Sequence, residues 1–135
     1  KRRPSPTILQ RLRDAGLRPT RQRLALAKIL FGAGDRHLTA EGLFTEAKAK
    51  RVKVSLATIY NALHDFTSRG MLREISVESE RSYFDTNVTD HHHFFFERSG
   101  VLQDLPLDQV KIASLPAAPK GGRIARVDVV IRVVE

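Results

Sequence analysis

The chain has no cysteine and no tryptophan, and only one methionine, among its 135 residues. Without thiols there is no disulfide, no thiol nucleophile, no iron–sulfur cluster and no cysteine-held structural zinc. A disulfide-less chain fits a reducing compartment, so a cytoplasmic location is expected. Long apolar runs are missing as well. None reaches the roughly 20 residues that span a bilayer, and no signal peptide is recognisable at the start. Any metal must therefore be held by His, Asp or Glu.

Positive charge is plentiful and unevenly spread. The formal net charge is +8. Residues 1–86 hold 17 Lys/Arg against 9 Asp/Glu, while residues 87–135 hold 6 against 6. The basic part suits a polyanion, with DNA or RNA favoured over an anionic membrane. Three consecutive histidines, His91-His92-His93, stand just past the change in charge. We therefore expect two small domains, 1–86 for nucleic acid and 87–135 for sensing and association. Lobes this small have thin cores, and a partner subunit would add stability.

The basic part reads as helices followed by a hairpin. Ile8, Leu9, Leu12 and Ala15 recur at helical spacing before Gly16. Thr20 caps a second helix over about 21–31, with Leu24, Ala27, Leu30 and Phe31 as its apolar face. Thr39 caps a third helix, with Leu38 placed to staple onto Leu43 or Phe44. Ser55 caps a fourth, about 56–69, ended by Gly70. Its inner side carries Ile59, Ala62, Leu63 and Phe66, and its outer side Ala57, Tyr60, Asn61, His64 and Ser68. Strands at Leu72–Val77 and Arg81–Asp85 follow, joined across Glu78-Ser79-Glu80.

Helices followed by such a hairpin predict a winged helix-turn-helix, with one helix in the major groove and the wing along the backbone. The fourth helix suits reading. Ala57 can meet a thymine methyl, Asn61 can pair with adenine, and Tyr60 and Thr58 can reach phosphate or a base edge. Ser55 lies at the helix start, where backbone amides face a phosphate. Arg18, Arg21 and Arg23 are further phosphate candidates, with Arg18 also suited to a narrow minor groove. Arg73 and Arg81 on the wing either touch phosphate or face water. An ordinary amphipathic helix with a polar outside is the plainer alternative.

The neutral part reads as a small sheet. A hairpin is expected from His93–Arg98 and Val101–Leu105 across Ser99-Gly100. Alternation puts His91 and His93 on one side and His92 on the other, with Asp104 able to close over the pair. A short helix is expected over Leu107–Leu115, a loop over 116–122, and a strand over Ile124–Val134. So long a β-branched strand in so small a lobe calls for a covering surface: a second copy, giving a twofold dimer that suits palindromic DNA, is favoured over a monomer covered by its own short helix. Imidazole with carboxylate suits Zn(II), Fe(II) or Mn(II), and imidazole also ligates haem iron. A His/carboxylate hydrolase is one alternative, with Glu97 or Asp90 as the base, although neither lies in a motif. A non-catalytic metal carrier is another.

Thr20-Arg21-Gln22-Arg23, His37-Leu38-Thr39-Ala40-Glu41, Ser55-Leu56-Ala57-Thr58-Ile59-Tyr60 and His91-His92-His93-Phe94 together resemble the ferric uptake regulator family, from about residue 9 to 133. Within it the likeness is drawn to the iron response regulators of rhizobia and related alphaproteobacteria. The resemblance implies a non-enzymatic, dimeric transcription regulator of α+β class. An N-terminal winged-helix domain would be followed by a small C-terminal α/β dimerisation domain.

The resemblance also implies a regulatory metal site made of His37, Asp85, His91, His93 and Asp104, bridging the two domains. It implies control of haem synthesis and iron homeostasis, with haem or a haem-synthesis protein as a further partner. With no Cys-Pro motif available, haem would fall to His91, His92 or His93. The chain departs from the family where Phe96 and Ser99 replace the paired cysteines of a structural zinc site. A second metal site is put in doubt where His92 stands in place of Asp.

Overall fold

In the computed structural model, which describes residues 7–78 and 81–135, a hydroxyl starts each helix of the N-terminal part. Thr7 Oγ1 accepts from Gln10 N at 3.1 Å, ahead of α1 (Ile8–Asp14). Thr20 Oγ1 accepts from Arg23 N at 3.2 Å, ahead of α2 (Arg21–Phe31). Thr39 Oγ1 accepts from Gly42 N at 3.0 Å, ahead of α3 (Ala40–Ala49). Ser55 Oγ accepts from Thr58 N at 3.1 Å, ahead of α4 (Leu56–Ser68). Each cap satisfies an amide that the helix itself cannot, an effect of about 1 kcal/mol.

The apolar faces of these helices meet in one core. Leu12, Leu26, Leu30, Leu43, Ile59, Leu63 and Phe66 are fully buried in it. Phe31 and Phe66 add an edge-to-face contact at 5.9 Å between ring centroids. Gly70 follows α4 at φ 78°, a left-handed conformation that glycine adopts without a Cβ clash. Met71 N then donates to Phe66 O at 2.9 Å and closes the helix end. At the end of α3 the same left-handed position is taken by Arg51, at φ 59°.

A three-stranded antiparallel sheet, ordered β1-β3-β2, finishes this part. It is built from β1 (His37–Leu38), β2 (Arg73–Glu78) and β3 (Arg81–Asp85). The hairpin of β2 and β3 is the expected wing; its Ser79 and Glu80 lie outside the described residues. Strand β1 was not expected, because two residues carry no periodicity. Leu38, expected to staple onto α3, pairs with Phe84 in the sheet and is buried in the same core as Leu43.

The chain divides into two compact units, Lys1–Val88 and Thr89–Glu135. In the second, β4 (His92–Phe96) lies between β5 (Leu102–Leu105), antiparallel to it, and β6 (Val130–Val133), parallel to it. The turn after β4 contains Gly100 at φ 72°, and Gly100 N donates to Phe96 O at 2.8 Å. Arg132 of β6 brackets that end: its guanidinium lies 5.1 Å from the Phe95 ring centroid, and its Nε donates to Glu97 Oε1 at 2.6 Å.

Two expected elements are shorter than predicted. The helix over Leu107–Leu115 contracts to a 3-10 turn at Leu107–Gln109. Nine residues between Pro106 and Pro116 are too few to repay helix nucleation without an apolar face to pack on, and Leu107, Ile112 and Leu115 are exposed. The strand over Ile124–Val134 contracts to four residues, because β4, its partner, is only five residues long. The α+β class stands: a helical winged unit followed by a β-rich one. Among the described residues, no helix is long and apolar enough to cross a membrane.

Candidate metal centre and nucleic-acid interface

In the first unit, Asp85 is the middle of a row across the sheet. His37 of β1 and Arg73 of β2 both stand opposite it. The His37 Nε2 to Asp85 Oδ2 distance is 3.1 Å. Asp85 is 1% exposed, and its Oδ1 accepts from Asn87 N at 2.9 Å. Arg36, the residue before His37, is held by both its side chain and its backbone. Its guanidinium grips both Glu46 carboxylate oxygens and reaches Ile29 O, while its backbone exchanges hydrogen bonds with Thr86. One arginine thus ties the strand carrying His37 to the end of α2 and to α3.

In the second unit, His91 Nε2 and His93 Nε2 converge on one carboxylate oxygen, Asp104 Oδ1, at 3.1 and 3.5 Å. The two rings lie 4.6 Å apart, and the three ligand atoms are all within 4.8 Å of one another. His93 and Asp104 are directly opposed across β4 and β5. His91 Nδ1 lies 2.6 Å from Thr89 O. A carbonyl only accepts, so Nδ1 carries the hydrogen, and in the neutral ring the lone pair sits on Nε2, toward Asp104. A lone pair aimed at a carboxylate oxygen is an arrangement that a cation between them satisfies, and a carbonyl on the far nitrogen is the usual support of a ligating histidine. The donor set therefore fits a transition-metal ion.

His92 lies apart from this triad. It is 2% exposed, and its Nδ1 accepts from Val129 N at 3.1 Å. One of the nitrogens offered for haem is thus already engaged in bracing the backbone beside β6.

The outer face of α4 presents Ala57, Tyr60, Asn61 and His64 to solvent, as expected. Thr58 is half-buried; its hydroxyl and that of Ser55 lie 3.0 Å apart, so both are engaged in the cap. Arg18, Arg21 and Arg81 are exposed. Two other arginines differ from expectation. Arg73 is buried, at 6% exposure, because the alternation of β2 turns residues 73, 75 and 77 inward; it neither faces water nor offers a phosphate contact. Arg23 is half-buried: its Nη1 donates to Arg18 O at 2.8 Å and its Nη2 to Asp65 Oδ2 at 3.0 Å, tying the loop before α2 to α4.

Sequence reasoning missed a contact on this face. The Tyr60 hydroxyl donates to Glu41 Oε1 at 2.7 Å. That bond holds the Glu41 carboxyl below its ordinary value, with its own backbone amide and the nearby Arg81 acting the same way. It also pushes the Tyr60 phenol up. Nothing in the spacing of residues 41 and 60 signals it, since it depends on how α3 and α4 pack.

The sequence profile of the ferric uptake regulator family matches residues 14–131. The chain belongs to the ferric uptake regulator family. Curated relatives include the peroxide-responsive repressor PerR of Staphylococcus epidermidis, 34% identical over 99 residues, which are 73% of this chain and 65% of that repressor. PerR of Staphylococcus aureus is 33% identical over 99 residues, again 73% of this chain and 66% of the relative. The chain thus spans just under two thirds of these relatives' length.

These relatives correct the expected branch: the likeness is to peroxide-responsive repressors and not to iron response regulators. Among solved structures, the ferric uptake regulator of Pseudomonas aeruginosa with manganese superposes with a TM-score of 0.71 at 23% identity, over 93% of this chain and 96% of that one. The Vibrio cholerae regulator gives 0.72 at 19%, over 93% and 97%. These likenesses are ones of fold. Ferric uptake regulators are transcriptional regulators rather than enzymes, which sets aside the hydrolase alternative; of its two nominated bases, Glu97 and Asp90, the first is tied to Arg132.

Proposed function

We propose that this chain is a metal-dependent, DNA-binding transcriptional regulator that works as a homodimer on palindromic double-stranded DNA in the cytoplasm. Residues 1–86 bind DNA, and residues 87–135 dimerise and sense metal. Manganese, iron or zinc in the divalent state is held by His37 and Asp85 of the first domain together with His91, His93 and Asp104 of the second. The observation that carries this reading is the convergence of two imidazoles on Asp104 Oδ1, with His91 set in the ligating tautomer by Thr89.

When bound, the ion supplies a positive charge that offsets the carboxylates. His37 of the edge strand β1 faces Asp85 of the central strand β3, and Arg36 links β1 to α2 and α3. Ligation by both sets restrains one domain against the other. In a dimer that restraint sets the spacing of two α4 helices, so ligand occupancy and DNA affinity are coupled. Ala57, Tyr60 and Asn61 read bases, the start of α4 at Ser55 and Thr58 meets phosphate, and Arg18, Arg21 and Arg81 add phosphate contacts.

Iron homeostasis, with haem as an effector, is one signal for such a regulator. A peroxide signal is favoured over it by the 33–34% identity to peroxide-responsive repressors. The deciding experiment selects duplexes from a random library with the dimer loaded with Mn(II), Fe(II) or Zn(II), and repeats the selection after chelation. Retention of a twofold sequence that depends on metal is the expected result. Failure to retain any sequence in every metal state overturns the reading. Adding peroxide or haem to the selected complex then ranks the two signals by which one releases the DNA.

A further inference from the structure

Tyr60 and Glu41 belong to different helices and meet over a groove of about 910 Å³ bordered by α3, α4 and the wing. Tyr60 is 48% exposed and sits on the outer face of α4 beside Asn61. A phenol has a single hydrogen and otherwise only accepts. That hydrogen is committed to Glu41 Oε1 at 2.7 Å. An ionised carboxylate has no hydrogen to give back, so the bond has one polarity.

We propose that Glu41 is a positioning residue that fixes the hydrogen-bond polarity of Tyr60, so that α4 reads an amino group on a base edge at that position and rejects a carbonyl. The inference rests on the reading of α4 as the DNA-reading helix. With its hydrogen occupied, the Tyr60 oxygen presents lone pairs outward. In the major groove the partners with hydrogens to offer are adenine N6 and cytosine N4. Guanine O6, thymine O4 and phosphate oxygens present lone pairs of their own, and two facing acceptors repel. Glu41 sits in the first turn of α3, where the helix end favours a negative charge. The pair does little for folding, because an exposed hydrogen bond largely replaces one made to water. A carboxylate on a face that approaches DNA also opposes phosphate. Its effect is therefore selectivity at the expense of general affinity.

The test uses the metal-loaded full chain and a randomised duplex library, with base preference measured position by position. Wild type is compared with Glu41→Ala, Glu41→Gln, Tyr60→Phe and the double variant Glu41→Ala/Tyr60→Phe, each checked by circular dichroism for native helix content. Wild type is expected to prefer adenine or cytosine at one position of each half-site. Glu41→Ala relaxes that position by roughly tenfold, the effect of one lost or misdirected hydrogen bond, and leaves the others unchanged. It also binds all sequences more tightly, a uniform shift from the lost charge. Glu41→Gln shows the same uniform shift but keeps most of the preference, because its carbonyl still accepts. In the Tyr60→Phe background Glu41→Ala adds no further relaxation.

The inference is overturned if Glu41→Ala keeps every base preference, or relaxes the position equally with and without the Tyr60 hydroxyl. A wild type that selects no sequence overturns the DNA-reading function itself, and this inference with it.

Discussion

His91 owes its orientation to a neighbour two residues away. The Thr89 carbonyl sets which ring nitrogen faces Asp104, so the ligating geometry is built into a short stretch of backbone. His91→Ala is expected to weaken Mn(II) binding by at least 10–100-fold, the range seen even for losses outside the ligand shell. Equilibrium dialysis measures this, and unchanged affinity would remove His91 from the ligand set.

Tyr60 and Glu41 give a second residue-scale prediction. The Glu41 pKa is lowered from 4.5, so its contribution to stability is full above that value and lost as pH falls through the lower folded value. The Tyr60 pKa is raised from 10.0, so its contribution is full below that value and lost as pH rises through the higher folded value. The bond therefore spans the neutral range. Ultraviolet titration of tyrosinate should show Tyr60 ionising at higher pH in wild type than in Glu41→Ala. Superimposable curves would refute the pairing.

The ligand types were legible because a histidine triplet is conspicuous in a chain without thiols. The burial of Arg73 was not, since β2 has to be placed on its core before its inward side is known.

At the scale of elements, the helix ends carry measurable terms. Ser55→Ala removes the cap of α4 and should cost about 1 kcal/mol in chemical denaturation. Arg51 holds the left-handed position after α3. An L side chain there costs about 1–2 kcal/mol, against an entropic cost of about 0.5–1 kcal/mol for glycine. Arg51→Gly should therefore stabilise the chain by about 0.5–1 kcal/mol. A lower denaturation midpoint for that variant would show that Arg51 makes a compensating contact.

The four helices were readable from caps and apolar spacing, because both signals are local. Strand β1 was hidden, since its two residues gain their structure from β3, nearly fifty positions away. The expected helix at Leu107–Leu115 misled for the converse reason: its apolar residues Leu107, Ile112 and Leu115 stay exposed, so no packing supports a helix there.

For the whole molecule, the +8 charge predicts two kinds of DNA binding. General binding should fall steeply with salt, and sequence-specific binding should in addition depend on metal. Chelation is expected to abolish the second and spare the first, which titrations on selected and scrambled duplexes would separate. Equal loss of both would point to unfolding instead.

Family membership was legible from segments at α4 and β4, but the branch was not. Those segments hold a helix cap, the proposed reading face and the proposed metal ligands, and none of these says which signal is sensed.

The turn after β4 places Phe96 and Ser99 where related regulators were expected to carry paired cysteines, and the sheet there is drawn together by Arg132 against Glu97 and Phe95. An electrostatic and aromatic clasp holds that end of the sheet. Thiol-directed reagents therefore find no target in this chain, and oxidants are left with the Met71 thioether, the tyrosine phenols and the imidazole rings. On the proposed metal-dependent reading, a redox signal acts on the bound ion and its imidazole ligands, on the phenols, or on that single thioether.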